Sequence, residues 1–246
     1  MKIKYSHDKT LHNKSAAREI LPFIFSITNP ANVLDIGCGT GSWLSVAKEL
    51  GVGKVVGIDG ILVSENLLEI EKEEFLKHDL SSPLILQEKF DITFCLEVAE
   101  HLPSAAADII VNTLTSSSDF ILFSAAIPGQ GGQFHINEQQ PDYWREKFAA
   151  KGFLPYDILK DKFWQNEKVD WWYKQNIVIY GKPGKLENLN YLPSEQILSK
   201  IHPELLQVKI NEINNLQQLT HDKVWNPKFI YSLKLVMKSI FNAFRR

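Results

Sequence analysis

Residues Val33-Leu34-Asp35-Ile36-Gly37-Cys38-Gly39-Thr40-Gly41 run from an apolar segment into glycines at every second position, and a helical pattern follows at once. Few folds accommodate that order. Glycines there let the backbone turn sharply and come close to a neighbour where a Cβ would collide, and the helix start presents free N–H groups to an electron-rich ligand. Dinucleotide sites space such glycines as G-x-G-x-x-G; here the third comes one residue sooner, and Asp35 precedes the first. A carboxylate at that turn repels a pyrophosphate and suits a ligand carrying an ammonium or sulfonium cation.

The rest of the first 180 residues extends this unit. β-branched runs at Asn32 to Cys38, Lys54 to Asp59, Phe75 to Asp79, Phe90 to Leu96 and Phe120 to Ala126 alternate with helical stretches at Ser42 to Leu50 and Ser104 to Leu114, with Ser42 and Ser104 as candidate caps. An earlier helix is expected over Ser15 to Phe25, ended by Asn29-Pro30, and another from about Gln139 to Phe148. Two more strand candidates, Phe153 to Leu159 and Gln175 to Tyr180, would close the sheet at one edge. The expected fold is therefore α/β, a seven-stranded, mostly parallel sheet with an antiparallel closing strand. Gly181-Lys182-Pro183-Gly184-Lys185 punctuates the chain, and the strand-poor remainder reads as helices. The expected division is residues 1–184 as one domain and 185–246 as a helical C-terminal extension.

Two further carboxylates stand at strand ends. Asp59 closes Val55-Val56-Gly57-Ile58-Asp59-Gly60, where an acidic side chain can accept both hydroxyl hydrogens of a ribose; capping the next segment is the alternative. Asp79 closes Phe75-Leu76-Lys77-His78-Asp79-Leu80 and could receive an exocyclic adenine amine, or be a solvated loop residue.

Taken with Phe90-Asp91-Ile92-Thr93-Phe94-Cys95-Leu96-Glu97-Val98-Ala99-Glu100-His101-Leu102, these segments resemble the four successive motifs of the Rossmann-like S-adenosylmethionine-dependent methyltransferases, over residues 30 to 180. The resemblance implies S-adenosyl-L-methionine as cofactor, with Asp35, Gly37, Gly39 and Gly41 around its methionine moiety, Asp59 on the ribose, and Asp79 and Leu80 beside the adenine. Cys38, Gly60, Leu96 and Glu97 fall in the same expected cofactor-binding set. The block Phe123 to Gly132, continuing to Gln139, is similar to bacterial methyltransferases of surface-polysaccharide and secondary-metabolite pathways. No Asn-Pro-Pro-Tyr-type run follows the fourth strand, and Cys95 has no adjacent proline, which sets aside the base-amino and cytosine-C5 subclasses.

Methyl transfer from a sulfonium is an in-line displacement that needs an acceptor near ~3 to 3.5 Å from the methyl carbon, and a base if the acceptor is a hydroxyl. The candidate catalytic residues are His135, Glu138 and His101, with His135 favoured as base because it lies in a glycine-flanked loop with Asn137 and Glu138 nearby. Glu97 and His101, four apart, could pair on a helix turn, and His135 could serve only to fold its loop. Glu97 with His101, or His135 with Glu138, would give a metal two ligands, which is no site; no metal is expected. Trp144, Trp172 and Tyr173 are expected to floor the acceptor site, core packing being the alternative for any one tryptophan.

Composition bounds the partners. The 246 residues carry 27 basic and 29 acidic side chains, a net charge of -2, so no global basic field attracts a phosphate backbone and nucleic acid is not expected as a partner. A small-molecule or glycan acceptor is expected instead, with a hydroxyl of a sugar as the methylated group. Two cysteines make no disulfide framework, and Met1 to Asp8 lack a secretory progression, so a cytoplasmic location and reduced thiols are expected. Lys228, Lys234, Lys238, Arg245 and Arg246 lie among Ile230, Leu233, Met237, Ile240, Phe241 and Phe244 at helical spacing. That helix could rest on a membrane surface; packing on the domain or a partner is favoured. Two other functions fit less well: a non-catalytic S-adenosylmethionine-binding partner subunit, against which His135 and Glu138 speak, and a nicotinamide-dependent oxidoreductase, against which Asp35 and the early third glycine speak.

Overall fold

The computed structural model describes residues 13–224 and 227–243. Its first compact unit ends at His202 and holds a seven-stranded sheet in the order β3-β2-β1-β4-β5-β7-β6. The strands are β1 (Asn32–Ile36), β2 (Lys54–Asp59), β3 (Phe75–Lys77), β4 (Ile92–Leu96), β5 (Phe120–Ser124), β6 (Leu154–Tyr156) and β7 (Val178–Gly181). The first five pair in parallel, whereas β7 runs antiparallel to both β5 and β6. The expected α/β class and the closing edge pair are both present.

Alternation along each strand builds two apolar layers, because successive side chains leave opposite faces of the sheet. Val33, Ile92, Phe94 and Leu122 pack with helices α1 (Ser15–Thr28) and α2 (Ser42–Glu49) on one face. Leu34, Ile36, Cys95, Ile121 and Phe123 pack with α3 (Ala107–Ser117) and α4 (Pro141–Ala149) on the other. With both faces covered, β4 and β5 are buried along their whole length.

Strand order places the site. β1 lies between β2 and β4, and the chain reverses its direction of winding there, so a crevice opens at the carboxyl ends of β1 and β4. The segments that follow β1, β2, β4 and β5 all emerge on that edge.

Several local expectations shift. Helix α1 continues through Pro22 to Thr28 and ends at Asn29 in a left-handed conformation; burial of Ala16, Ala17, Ile20, Leu21 and Ile24 outweighs the donor Pro22 removes. Ser42 is the first residue of α2 and not its cap, since Gly41 at φ +80° makes the turn. Ser104 likewise caps nothing and opens a short 3-10 turn before α3. The expected strand at Phe153 to Leu159 stops at Tyr156, and Leu159–Phe163 forms α5. Gln175 and Asn176 end helix α6 (Trp171–Asn176) instead of opening β7.

The compact unit extends past the expected boundary at residue 184 because Leu186 and Ile197, in a strand-poor stretch, are buried in its two cores. The second unit, Pro203–Arg246, contains α7 (Pro203–Val224) and α8 (Pro227–Ala243). Leu206, Ile213, Leu216 and Leu219 of α7 and Leu233 and Met237 of α8 are exposed. Met1 to Asp8, and the side chains of Lys228, Ile240, Phe241, Phe244, Arg245 and Arg246, lie outside the described residues. Among the described residues no helix is long and apolar enough to cross a membrane.

Candidate functional site

The glycine turn after β1 is tied down on both sides. Gly37, Gly39 and Gly41 all have positive φ, at +84°, +54° and +80°, the region glycine enters without penalty. Two of them serve packing as well as the turn: a Cβ on Gly37 would come within 2.2 Å of the Val98 side chain, and one on Gly41 within 2.8 Å of Ile70. Asp59 accepts the Gly39 N–H at 2.9 Å through Oδ2 and the Ile61 N–H at 2.8 Å through Oδ1. The end of β2 therefore holds the turn in place, and each carboxylate oxygen keeps a lone pair for a further donor.

Asp35 is buried in β1 opposite Gly57 and Phe94. Burial, with the nearby Asp59 charge adding to it, pushes its pKa up to about 7. A carboxylate so costly to ionise favours a cation brought beside it. The Cys38 and Cys95 thiols are free, buried and held well above their usual range, chiefly by burial. Asp79 is exposed and serves its own turn, accepting from Ser81 N at 3.0 Å, Ser81 Oγ at 2.6 Å and Ser82 Oγ at 3.3 Å, while Leu80 enters the core. Gly60 is exposed, next to the His78 carbonyl.

Beyond β4 the chain turns abruptly at Glu97, whose φ is +54°. Its N–H donates to the Ser124 carbonyl at 3.0 Å and the hydroxyl at 3.1 Å. Its carboxylate accepts from Gln130 Nε2 at 3.1 Å and from Asn176 Nδ2 at 3.1 and 3.3 Å; the same Gln130 amide oxygen accepts from Asn176 at 2.9 Å and Gln175 at 3.1 Å. Burial raises the Glu97 pKa against these amide donors. Glu97 gives its carboxylate to these amides, and Ala99–His101 is a 3-10 turn in place of the helix turn that the four-residue spacing assumes.

His101 and His135 instead meet each other, their rings 4.8 Å apart and nearly perpendicular. Glu100 joins them: one ligating atom from each of Glu100, His101 and His135 lies within 4.8 Å of the others. The backbone enforces this meeting, since Ile136 N and Asn137 N both donate to the Glu100 carbonyl, at 2.9 and 3.0 Å. Burial and the neighbouring His135 lower the His101 pKa to about 4, so it is neutral at pH 7. Burial, then the adjacent Glu97, holds Glu100 well above the carboxylate range.

Glu138 organises the loop after β5. It accepts from the N–H groups of Gly129 at 2.7 Å and Gly131 at 2.6 Å, and its Oε1 lies 2.9 Å from His135 Nδ1. Against burial, which would raise it, those bonds hold its pKa below the usual value. His135 and Glu138 are therefore brought together as expected, with the carboxylate orienting the imidazole.

The aromatic residues separate. Trp144 is 2% exposed and packs in the core, tilted against Phe123 and edge-on against Tyr143, so it floors no open site. Trp172 and Tyr173, in α6, are half-buried; Tyr173 meets Trp43 at 5.2 Å and Trp172 at 6.0 Å. Leu96 is buried at the end of β4.

A family model described as a methyltransferase domain matches residues 10–175, well over half of the chain. The protein belongs to the methyltransferase-domain family. S-adenosylmethionine is the methyl donor of this family, and the Rossmann-like sheet described above is its fold. The ribosomal RNA large subunit methyltransferase E of Methanocella arvoryzae is 37% identical over 158 residues, 60% of this chain and 60% of that protein. The ribosomal protein L11 methyltransferase of Thermotoga maritima is 32% identical over 139 residues, 54% of this chain and 47% of that protein. The chain thus spans between about half and 60% of the length of these relatives. Among solved structures, SAM-bound CalS10, an amino pentose methyltransferase from Micromonospora echinaspora, matches with a TM-score of 0.50 at 14% identity, covering 67% of this chain and 89% of that one.

These relatives correct one expectation. The exclusion of nucleic acid as a partner does not stand for a methyltransferase domain similar to enzymes named for ribosomal RNA and a ribosomal protein. Net charge was the wrong criterion, because phosphate contacts are made by local groups whatever the sum over the chain.

Four residues of this methyltransferase domain's candidate site were absent from the sequence reading: Glu100, Gln130, Gln175 and Asn176. Glu100 lies beside His101 in the segment Phe90 to Leu102, and its position between Glu97 and His101 is the available signal. The three amides had none, since their convergence on Glu97 depends on the pairing of β5 with β7.

Proposed function

We propose that this protein transfers the methyl group of S-adenosylmethionine to a hydroxyl oxygen of a sugar-bearing acceptor. The His135–Glu138 pair carries the reading: an oriented imidazole on the loop after β5, at the carboxyl edge where the sheet opens. Among common acceptors, a hydroxyl most needs a base. The name of the RNA-methylating relative and that of the amino pentose methyltransferase both keep sugars within the acceptor class. Trp172 and Tyr173 supply half-buried rings that suit the apolar face of a sugar.

In this reading Asp35 and the turn of Gly37, Cys38, Gly39 and Gly41 surround the methionine moiety, and Asp59 with Gly60 takes the ribose. Leu80 and Leu96 contribute apolar wall, and Glu97 holds the amides that face the methionine end. Asp79 is left to its own turn. The acceptor O–H gives its proton to His135 Nε2 while Glu138 accepts the Nδ1 hydrogen and stabilises the imidazolium. The oxygen then forms its bond to the methyl carbon, the carbon–sulfur bond breaks, and sulfur keeps the electron pair. A methyl ether and neutral S-adenosylhomocysteine result.

The test is formation of S-adenosylhomocysteine with a panel of ribose-containing oligonucleotides, free pentoses and hexoses, and amine-only analogues. Product with hydroxyl acceptors, lost in His135→Ala while S-adenosylmethionine still binds, supports the assignment. Equal turnover on amine-only acceptors, or an undiminished His135→Ala, refutes it.

A further inference from the structure

Glu100 is fully buried, and neither of its carboxylate oxygens has a well-formed hydrogen bond; the adjacent Glu97 carboxyl adds negative charge instead of compensating it. Buried polar groups are nearly always satisfied, so an orphaned carboxylate inside a cluster of nitrogen donors indicates a missing positive partner. The groups around it suit a cation. His101 and His135 each offer a ring nitrogen, and the three donor atoms lie within 4.8 Å of one another. An ion with bonds of ~2.0 to 2.2 Å spaces its ligands by about 3 to 4 Å, so the side chains need to draw together by about 1 Å.

The surroundings are also those of a ligand set. Glu138 receives the Nδ1 hydrogen of His135, which fixes the tautomer and leaves the Nε2 lone pair for a ligand, the carboxylate–histidine arrangement that supports bound metals. Gly132 lies against that same nitrogen: a Cβ there would come within 2.3 Å of Nε2, so a side chain at this position would collide with the imidazole.

We infer that Glu100, His101 and His135 form a site for one divalent transition-metal ion, with an open position for the acceptor hydroxyl. Two imidazoles and one carboxylate suit zinc, cobalt, iron or manganese better than the all-oxygen sets of calcium and magnesium. The inference rests on the hydroxyl-methylation reading and changes how the oxygen is activated. His135 becomes a ligand, and the ion makes the bound hydroxyl more acidic, so that its proton passes to water. The oxygen forms its bond to the methyl carbon, and the carbon–sulfur electrons return to sulfur as before.

The probe is Co2+ alone, titrated into the full chain and followed by visible absorption and calorimetry. One Co2+ per chain is expected, with at least tenfold weaker binding in Glu100→Gln and in His101→Gln and unchanged binding in His78→Gln. Thermal unfolding of each variant verifies folding, and if Glu100→Gln fails to fold, His101→Gln decides. Equal Co2+ binding by parent and cluster variants, or no saturable binding, overturns the site. Full methyl transfer to the hydroxyl acceptor in excess chelator overturns its catalytic part and leaves hydroxyl methylation standing. Saturable Co2+ binding with no turnover on any hydroxyl acceptor supports the site and refutes the reading beneath it.

Discussion

Replacing Asp35 by asparagine isolates the cost of the buried charge under the glycine turn. The native carboxyl, pushed up to about 7 from its ordinary value of 3.8, binds its proton more tightly folded than unfolded. Stability from that group is therefore fully present below pH ~4 and lost as pH rises through 7. At 1.36 kcal/mol per unit the loss approaches about 4 kcal/mol by pH 8. Asparagine cannot ionise, so Asp35→Asn escapes that loss, while an imperfectly bonded amide costs about 1 to 3 kcal/mol at every pH. The expected balance is a variant about 1 to 3 kcal/mol more stable than the parent at pH 8 and within about 1 kcal/mol of it at pH 5. Urea unfolding at the two pH values, with m unchanged, measures it. If the difference between variant and parent were the same at pH 5 and pH 8, the buried-charge argument would fail.

The same proton governs the cofactor. Because a sulfonium-bearing ligand favours the ionised form, S-adenosylmethionine binding by the parent should weaken up to about tenfold per pH unit below 7, and calorimetry should show this slope flattened in Asp35→Asn. Gly37→Ala combines a left-handed φ of +84° with a 2.2 Å clash on Val98 and should destabilise by about 2 to 4 kcal/mol, read by thermal unfolding; the double variant with Val98→Ala should recover part of it. Trp144→Ala should destabilise by about 3 to 5 kcal/mol yet leave the acceptor KM in place, whereas Trp172→Ala should raise that KM with little loss of stability; an interchange of these effects would reverse their assignment.

The frame was legible because its signals are local. A strand that runs into alternate glycines and a helix declares the turn after β1, and β-branched runs at regular intervals declare parallel strands whatever their partners. Strand ends were less legible. The Phe153 to Leu159 run looked continuous, but Pro155 has no N–H for the ladder and Asp157 draws Lys160 into a buried ion pair at 3.0 Å within the next helix. Residues beyond 184 looked like a separate extension because they lack strand formers, yet Leu186 and Ile197 fill the cores, and no periodicity marks two isolated apolar residues that reach back to a sheet.

The choice between two carboxylates shows where local reading stops. Glu97 and Glu100 stand three residues apart, and helical spacing would give His101 to Glu97. A non-glycine residue at φ +54° cannot continue a helix, and Glu97 adopts that conformation because β5 fixes its N–H while Gln130 and Asn176 take its carboxylate. Those partners come from the loop after β5 and the residues just before β7, so they exist only once the sheet has assembled. With Glu97 turned toward the amides, Glu100 is the carboxylate that this segment sets beside both histidines, and its carbonyl in turn holds the segment that carries His135. The chemistry of the site is thus decided by strand pairing some eighty residues from the motif that advertises it, and a substitution at Asn176 should disturb the histidine cluster as surely as one within it.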